Sequence, residues 1–329
     1  MNDTQIFSFT RSLLEDCRWD RSVITLINSV FLSGQIIKDD DRAVVVKEGD
    51  VEGHRSLLTP SDIRSGERIV EAFDTFLNIK VLAEEKLDGP RMLSQKDPKG
   101  VFEGKVLVLD PLDGTTSFAT RHSAEWCVGA GLMLNGEIIA SAVTAPHANG
   151  GMLLFSTGQR VFFVEDDRFP RTVESLQAKP KTSAVVLRGV DTELYPGLLE
   201  IMPEIAANSL AVDIKGSGHF ALMDVALNRA EVLIQAPQKP WDWVPVYHAV
   251  KAVGGTFRFF RIEDPYGAAC FTPVERFDQR AFSSNPGDNL GFVAGEPTLV
   301  DEIWRDILDV PKNKWRRATK RGSPAKVAA

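Results

Sequence analysis

The chain has 329 residues, of which 43% are apolar and 25% are charged, and these values argue against wholesale disorder. The net charge of −7 argues against broad nucleic-acid binding, but not against a phosphorylated substrate, because bound cations reverse the sign of a site locally. Three cysteines without CxxC spacing, no signal-peptide pattern and no apolar stretch long enough to span a bilayer predict a cytoplasmic protein without membrane contact.

The first half of the chain is predicted to mix helices with strands. In chain order we expect one helix over 10–37, or two with a break, then a short strand over 43–46 and a helix from Pro60 capped by Thr59 or Ser61. Strands over 79–83 and 106–109 and strand–turn–strand units over 126–164 are expected to follow. The turns of the last region are indicated by Asn135-Gly136 and Asn149-Gly150-Gly151.

The second half is predicted to be an α/β lobe, because strands alternate with helices there. A polar stretch over 166–182 predicts the boundary between two lobes, residues 1–182 and 183–329. The predicted strands are 184–188, 211–214 and 231–235, and the predicted helices are 192–207, 217–228, 243–253 and 297–309. We expect 258–290 to be rich in loops, and the basic tail over 312–326 to be solvated and frayed.

The strongest motif is Asp110-Pro111-Leu112-Asp113-Gly114-Thr115-Thr116, which directly follows an apolar strand. Two carboxylates lie three residues apart across a proline-stiffened turn, and Gly114 lets the backbone approach a ligand closely. Carboxylate oxygens are ligands of hard cations such as magnesium rather than of zinc. The motif therefore predicts a metal site, with a turn in which Asp113 caps a helix as the alternative.

Further acidic residues stand at predicted strand ends and helix starts. Glu84-Glu85 ends a strand, and since adjacent side chains point to opposite faces, only one of the two is expected in a site. Asp242 could cap the helix that follows it, and Asp62 could complement a helix dipole. Together, however, these carboxylates occupy positions where α/β folds bind ligands.

The order of these motifs resembles the inositol monophosphatase family. The resemblance covers about residues 47–294 and is carried by Thr59-x-x-Asp62, Glu84-Glu85, the Asp110–Thr116 run, Gly216-Ser217, Trp241-Asp242 and Gly254-Gly255. It implies an α/β chain with a layered αβαβα fold, in which an α+β N-terminal lobe with an antiparallel sheet carries most metal ligands. The C-terminal lobe, with a mixed sheet, would supply Asp242 and the substrate contacts.

The resemblance also implies a homodimer that hydrolyses a small phosphorylated metabolite with two or three magnesium ions and a metal-activated water. Carried over by motif, the catalytic residues are Glu84, Thr115 and Asp62; the metal ligands are Glu84, Asp110, the Leu112 carbonyl, Asp113 and Asp242; and the substrate contacts are Gly114, Thr115, Ser217, Gly218 and Gln235. Lys47 stands where many members have a lysine.

Three positions depart from the family pattern. Inositol-specific members carry a glutamate where this chain has Gln235. The family usually has a small residue where this chain has His219, which we interpret as a packed helix residue, and a glycine where it has Ala83. The first departure weakens a prediction of strict inositol specificity, because an amide lacks the charged acceptor. Histidinol phosphate, a sugar phosphate or a nucleotide phosphate are alternative substrates, and a metal-binding interaction protein without activity is the non-enzyme alternative.

Overall fold

The computed structural model describes residues 20–40, 43–46, 57–77, 79–166, 170–266 and 269–317. Its helices are α1 (Arg21–Ile37), α2 (Pro60–Phe76), α3 (Thr115–Thr120), α4 (Pro196–Asn208), α5 (Gly218–Ala226), α6 (Val244–Ala252) and α7 (Pro297–Asp309). Its strands are β1 (Val45–Val46), β2 (Leu57–Leu58), β3 (Lys80–Ala83), β4 (Lys105–Asp113), β5 (Cys127–Leu134), β6 (Glu137–Ala145), β7 (Met152–Thr157), β8 (Arg160–Glu165), β9 (Arg171–Thr172), β10 (Val185–Gly189), β11 (Ala211–Lys215), β12 (Val232–Gln238), β13 (Thr256–Glu263), β14 (Cys270–Val274) and β15 (Leu290–Gly295).

The first sheet has seven strands in the order β3-β4-β5-β6-β7-β8-β9. Only β3 and β4 pair in parallel, and every later pair is antiparallel, as expected for strands joined by short turns. Asn135 and Gly136 both have positive φ angles, of 50° and 88°, which is the conformation that a tight hairpin requires. The predicted strands of this half are therefore confirmed, and β1 and β2 form a separate antiparallel pair.

The second sheet has six strands in the order β11-β10-β12-β15-β13-β14. The prediction that 258–290 is rich in loops holds for 264–266, 269 and 275–289, apart from a 3-10 turn over Gln279–Phe282. It missed strands, however, because most of β13 and all of β14 lie there, and β15 begins at its end. Arginines obscure the apolar pattern of β13: Arg258 pairs with Asp301, and the buried Arg261 pairs with Asp278. Pro273 sits in β14, which is the edge strand, where its missing N–H is tolerated.

Five layers stack in the order helix, sheet, helix, sheet, helix. The outer helices α1 and α2 pack on the first sheet around one apolar cluster. The helices α5 and α6 lie between the two sheets within a second cluster, which contains residues of both sheets. A third cluster joins α4 and α7 to the outer face of the second sheet. The predicted layered αβαβα arrangement is confirmed.

The start of the basic tail is packed rather than solvated. A 3-10 turn over Lys312–Trp315 buries Trp315, whose ring stacks on Phe271 of β14 at 4.6 Å between centroids. Arg317 is also buried, so the prediction of a frayed tail is wrong for 312–317, although Lys312, Lys314 and Arg316 are exposed as predicted. Residues 318–329 lie outside the described residues, as do 1–19 and Lys47. The division into lobes at 166–182 stays a prediction. None of the described helices is both long and apolar enough to cross a bilayer.

Candidate metal centre and phosphate site

Asp110 and Asp113 come from the end of β4. Residues three apart on a regular strand point to opposite faces. The pairing of β4 with β5 is, however, irregular between Asp110, opposite Gly129, and Asp113, opposite Cys127. This irregularity lets both carboxylates converge on one side, and the Asp110 carboxylate also accepts a hydrogen bond of 3.0 Å from the Leu112 N–H.

Asp242 reaches the same place from the second sheet. It ends a 3-10 turn over Pro240–Asp242 that follows β12, and its carboxylate accepts a hydrogen bond of 2.9 Å from the Lys239 N–H. One carboxylate oxygen each of Asp110, Asp113 and Asp242 lies within 4.8 Å of the others. The structure therefore brings together three of the residues predicted to bind metal, and we call Asp110, Asp113 and Asp242 the carboxylate triad.

Burial and mutual repulsion shift the acid–base behaviour of the triad. Burial, followed by the negative charges of Glu84, Asp113 and Asp242, raises the pKa of Asp110 well above its ordinary value. Burial, with Glu84 and Asp113, likewise raises the pKa of Asp242, although Lys239 opposes the shift. Such crowding is relieved by a cation, and an all-oxygen donor set fits a hard divalent ion such as magnesium. The residues present therefore fit the metal that the sequence predicts.

Glu84 is the member of the glutamate pair that approaches the triad. Its negative charge acts on both Asp110 and Asp242, while Glu85 is buried. The Glu84 N–H donates to the Leu109 carbonyl at 3.0 Å, which continues the parallel pairing of β3 with β4. Gln95 donates from its side-chain amide to the carbonyls of Ala83 and Glu84, at 2.8 and 2.5 Å, and so fixes this strand end.

Asp62, Thr115 and the Leu112 carbonyl form a second small network. Asp62 is fully buried and its carboxylate accepts hydrogen bonds from the Thr59 N–H at 2.7 Å and the Thr59 hydroxyl at 2.6 Å. The Thr115 hydroxyl lies 2.9 Å from the Leu112 carbonyl oxygen and 3.3 Å from Asp62 Oδ1. Thr59 caps α2 as predicted, so the first turn of this helix holds the Asp62 carboxylate against Thr115.

Gly114 occupies a position that only glycine fits. Its φ angle is 81°, in the left-handed region, and a Cβ there would lie 2.8 Å from the carbonyl oxygen of Glu125. The residue begins the short helix α3 and brings the backbone of Thr115 beside the triad.

Ser217 supports the triad rather than facing open space. Its hydroxyl donates to Asp113 Oδ2 at 2.6 Å and accepts from the Phe220 N–H at 3.0 Å, so it also caps α5. The His219 N–H donates to the same Asp113 oxygen at 2.7 Å. The first turn of α5 therefore fixes one oxygen of Asp113.

Gln235 and Gly218 line a small cavity beside the triad. This cavity, of about 60 Å³, is also lined by Asp113 and Asp242. A Cβ on Gly218 would lie 3.2 Å from the Asp242 carbonyl oxygen. Gln235 is buried, and its side-chain oxygen has no hydrogen-bond partner among the described residues. The structure thus places both predicted substrate contacts next to the predicted metal ligands.

Four residues near the site were missed or underrated by the sequence. The fully buried His219 ring is hydrogen-bonded to the Trp241 carbonyl at 2.8 Å, so it links α5 to the turn that carries Asp242. Lys239, Asn289 and Arg317 line a larger cavity that reaches Glu84 and Asp242. The one indication in the sequence that Arg317 lies in a packed segment is Trp315, two residues before it, because tryptophan side chains are largely buried on average.

Three comparisons relate the chain to known proteins. The model of the inositol monophosphatase family matches residues 19–269. An inositol monophosphatase of Dictyostelium discoideum is 24% identical over 269 residues, which cover 80% of this chain and 87% of the relative. The inositol-1-monophosphatase of Bacillus subtilis is 22% identical over 245 residues, covering 73% and 78%.

Solved structures with the same fold agree. The extragenic suppressor protein suhB of Bartonella henselae matches with a TM-score of 0.63 at 17% identity, covering 87% of this chain and 97% of that one. At this identity the likeness shows the fold alone, whereas the family match spans the motifs from Asp62 to Asp242. The family comprises metal-dependent phosphatases of small phosphorylated compounds. The chain belongs to the inositol monophosphatase family.

Proposed function

We propose that this protein is a magnesium-dependent phosphomonoesterase that hydrolyses a small phosphorylated metabolite. The observation that carries the proposal is the carboxylate triad, whose oxygens lie within 4.8 Å of one another next to the Glu84 carboxyl. Four carboxylates so close together repel one another unless cations are bound between them. Because the family is metal-dependent, we expect this cluster to bind the metal ions needed for phosphate-ester hydrolysis.

Glu84, Asp110, Asp113, Asp242 and the Leu112 carbonyl would hold two or three magnesium ions. When bound, magnesium activates water and offsets the charge of the phosphate and of the leaving oxygen. The backbone N–H groups of Gly114 and Thr115 would bind phosphate oxygens at the start of α3.

The Thr115 hydroxyl would orient the attacking water together with Glu84. Asp62 would act through Thr115, because its carboxylate lies 3.3 Å from the Thr115 hydroxyl and is buried out of contact with solvent. No histidine or cysteine nucleophile is needed in this scheme. Hydrolysis of phosphate monoesters is among the slowest uncatalysed reactions, so activating and positioning water at this cluster is the main task of the site.

We propose further that the enzyme is not strictly specific for inositol phosphates. Gln235 lines the cavity beside Asp242 and presents an amide where a carboxylate would offer a charged acceptor to a ring hydroxyl. Replacing a charged acceptor by a neutral one typically costs about 1.5–3 kcal/mol, or about ten- to a hundredfold in selectivity. Sugar, nucleotide and histidinol phosphates therefore belong in the substrate screen.

Phosphate release from inositol 1-phosphate, histidinol phosphate, glucose 6-phosphate and AMP, each measured with magnesium and with excess EDTA, tests the proposal. We expect release from at least one compound, lost with EDTA and restored by added magnesium. Release that EDTA does not alter would contradict the metal mechanism. Magnesium binding without release from any phosphate ester would favour the interaction-protein alternative. We also expect a homodimer, which light scattering on the eluted protein would check.

A further inference from the structure

A cavity of about 200 Å³ is lined by Glu84 and Asp242 but not by Gly114 or Thr115 of the proposed phosphate-binding turn. Because it starts at these two proposed metal ligands, it is the space open to the part of the substrate beyond the scissile phosphate. Its other walls include Asp191, Lys239, Asn289 and Arg317. None of these four belongs to the predicted site, so the cavity contains selectivity determinants that the motifs do not specify.

Arg317 is fixed in the wall of this cavity by the C-terminal segment. Its side chain is 9% exposed, donates to the Tyr266 hydroxyl at 2.6 Å and lies over the Tyr266 ring at 5.6 Å. Its N–H donates to the Pro265 carbonyl at 2.8 Å. Trp315, 1% exposed, anchors the preceding turn on Phe260 and Phe271. The guanidinium is therefore held in place before any ligand arrives, which lowers the entropy lost on binding.

Lys239 supplies a second positive charge to the same cavity. Its ammonium group lies 5.8 Å from the centre of the Trp241 ring, and its charge acts on Asp242, the residue directly after Trp241. No carboxylate of the described residues pairs with Lys239. Asp191, which also accepts a hydrogen bond of 3.0 Å from Gln238, is the carboxylate on the cavity wall outside the proposed metal ligands. Once cations offset Glu84 and Asp242, the remaining charged side chains on the cavity wall are Lys239, Arg317 and Asp191.

Asn289 is an independent indication that the cavity accepts a polar ligand. The residue is 7% exposed, and its side-chain oxygen has no hydrogen-bond partner among the described residues. A buried polar atom without a partner is costly, so such an atom in a cavity wall indicates a donor brought by a ligand. A hydroxyl of the substrate would supply that donor.

We propose that Arg317 and Lys239 bind a second anionic group, a carboxylate or a phosphate, on the substrate, and that Asn289 accepts a hydrogen bond from a neighbouring hydroxyl. The planar fork of arginine matches both anions, and lysine adds a point charge. This inference rests on the proposed phosphatase function and names its substrate class: hydroxylated phosphomonoesters with a further acidic group. The C-terminal segment thereby becomes part of the substrate site.

Two pairs of substrates that differ in the second anion test this. For the carboxylate arm, kcat/KM is compared between 3-phosphoglycerate and glycerol 3-phosphate; for the phosphate arm, between inositol 1,4-bisphosphate and inositol 1-phosphate. We expect the wild type to prefer the doubly anionic member of at least one pair by about tenfold, since charge-assisted hydrogen bonds have about this value or more. The substrate pair that shows the preference identifies the second anionic group as a carboxylate or as a phosphate.

Arg317→Ala is expected to reduce that preference to near parity, and Lys239→Gln to reduce it by a smaller factor. Arg316→Ala is the matched control, because its side chain is exposed next to Arg317, and it should keep the wild-type ratio. If Arg317→Ala does not fold, the kcat/KM ratios of the wild type and of Lys239→Gln still test the inference.

Equal kcat/KM within both pairs would overturn the inference, and so would an Arg317→Ala variant that lowers both members of a pair equally, which indicates packing alone. Both outcomes leave the phosphatase function intact. Absence of magnesium-dependent release from every compound would instead contradict the function itself, and the inference with it.

Discussion

The two sheets contribute to the carboxylate triad in different ways. The first sheet supplies Asp110 and Asp113 from one strand, three residues apart, and Glu84 from the strand paired beside it. The second sheet supplies Asp242 through a 3-10 turn, along with the neighbouring residues that line the cavities. The first contribution is local in sequence, whereas the second depends on how the middle helices pack between the sheets. We infer that the first sheet supplies most of the metal ligands, and that the second sheet adds Asp242 together with the substrate contacts.

The largest expected effect comes from removing one carboxylate from either sheet. Asp110→Asn and Asp242→Asn should each lower kcat/KM by more than about a hundredfold, because changes to groups that merely support metal ligands already cost 10–100-fold. Both variants should stay folded, since a neutral amide relieves the repulsion that raises the pKa of each buried acid. Kinetics at saturating magnesium, with Asp88→Asn as an exposed control, provide the measurement. Near-normal activity in either variant would show that its sheet does not hold the metal.

A smaller effect is expected at the contact between α5 of the middle layer and Asp113 of the first sheet. Ser217→Ala removes the hydroxyl that donates to Asp113 at 2.6 Å, so the magnesium concentration for half-maximal activity should rise about tenfold. The variant also loses the cap of α5, which costs about 1 kcal/mol of folding free energy. Ser183→Ala, an exposed serine, is the control. An unchanged magnesium requirement would mean that α5 does not position Asp113.

The next prediction concerns substrate choice by the second sheet. Gln235→Glu should raise kcat/KM for inositol 1-phosphate, or for histidinol phosphate with its ammonium group, by about tenfold relative to a nucleotide monophosphate. The ranking of these three substrates in wild type and variant provides the measurement. If the wild type already strongly prefers inositol 1-phosphate and the variant keeps that ranking, Gln235 only packs against Gly189 and does not select the substrate.

The smallest effect concerns stability where the first sheet meets the middle layer. The His248 ring on α6 is hydrogen-bonded to Ser156 on β7 at 2.8 Å, and burial lowers its pKa from 6.5 to about 4. Because the unfolded chain takes up the proton first, this group costs stability as the pH falls from 6.5 towards 4. His248→Gln should reduce the loss by about 1 kcal/mol at pH 5.5. Urea unfolding at pH 7.5 and 5.5 checks this, with exposed His122→Gln as control. Equal pH dependence in wild type and variant would contradict a buried neutral His248.

The features that the sequence could predict are those set by residues close together in the chain. The motif from Asp110 to Thr116, the cap at Thr59 and the hairpin turn at Asn135-Gly136 are local patterns, and each predicted element appears near its expected position. The strand β13 escaped prediction because arginines interrupt its apolar run, and the pairing of Arg261 with Asp278 exists only in the folded chain. The strand β14 escaped prediction because it is only five residues long and contains Pro273.

The docking of the C-terminal segment could not be predicted for a related reason. Trp315 packs on strands whose residues lie more than 40 positions earlier in the chain, and the sequence does not show that these surfaces meet. The role of Ser217 could likewise be predicted only in part. As the cap of a helix it is readable from sequence, but its bond to Asp113 joins residues separated by 104 positions.

Calorimetric titration of magnesium into the protein tests the central claim most directly. The account predicts that the wild type binds magnesium without any substrate present, and that the variant Asp110→Asn, Asp113→Asn, Asp242→Asn shows no binding while keeping the wild-type circular dichroism spectrum. Magnesium binding of equal strength and stoichiometry in that triple variant would contradict the assignment of the carboxylate triad as the metal centre.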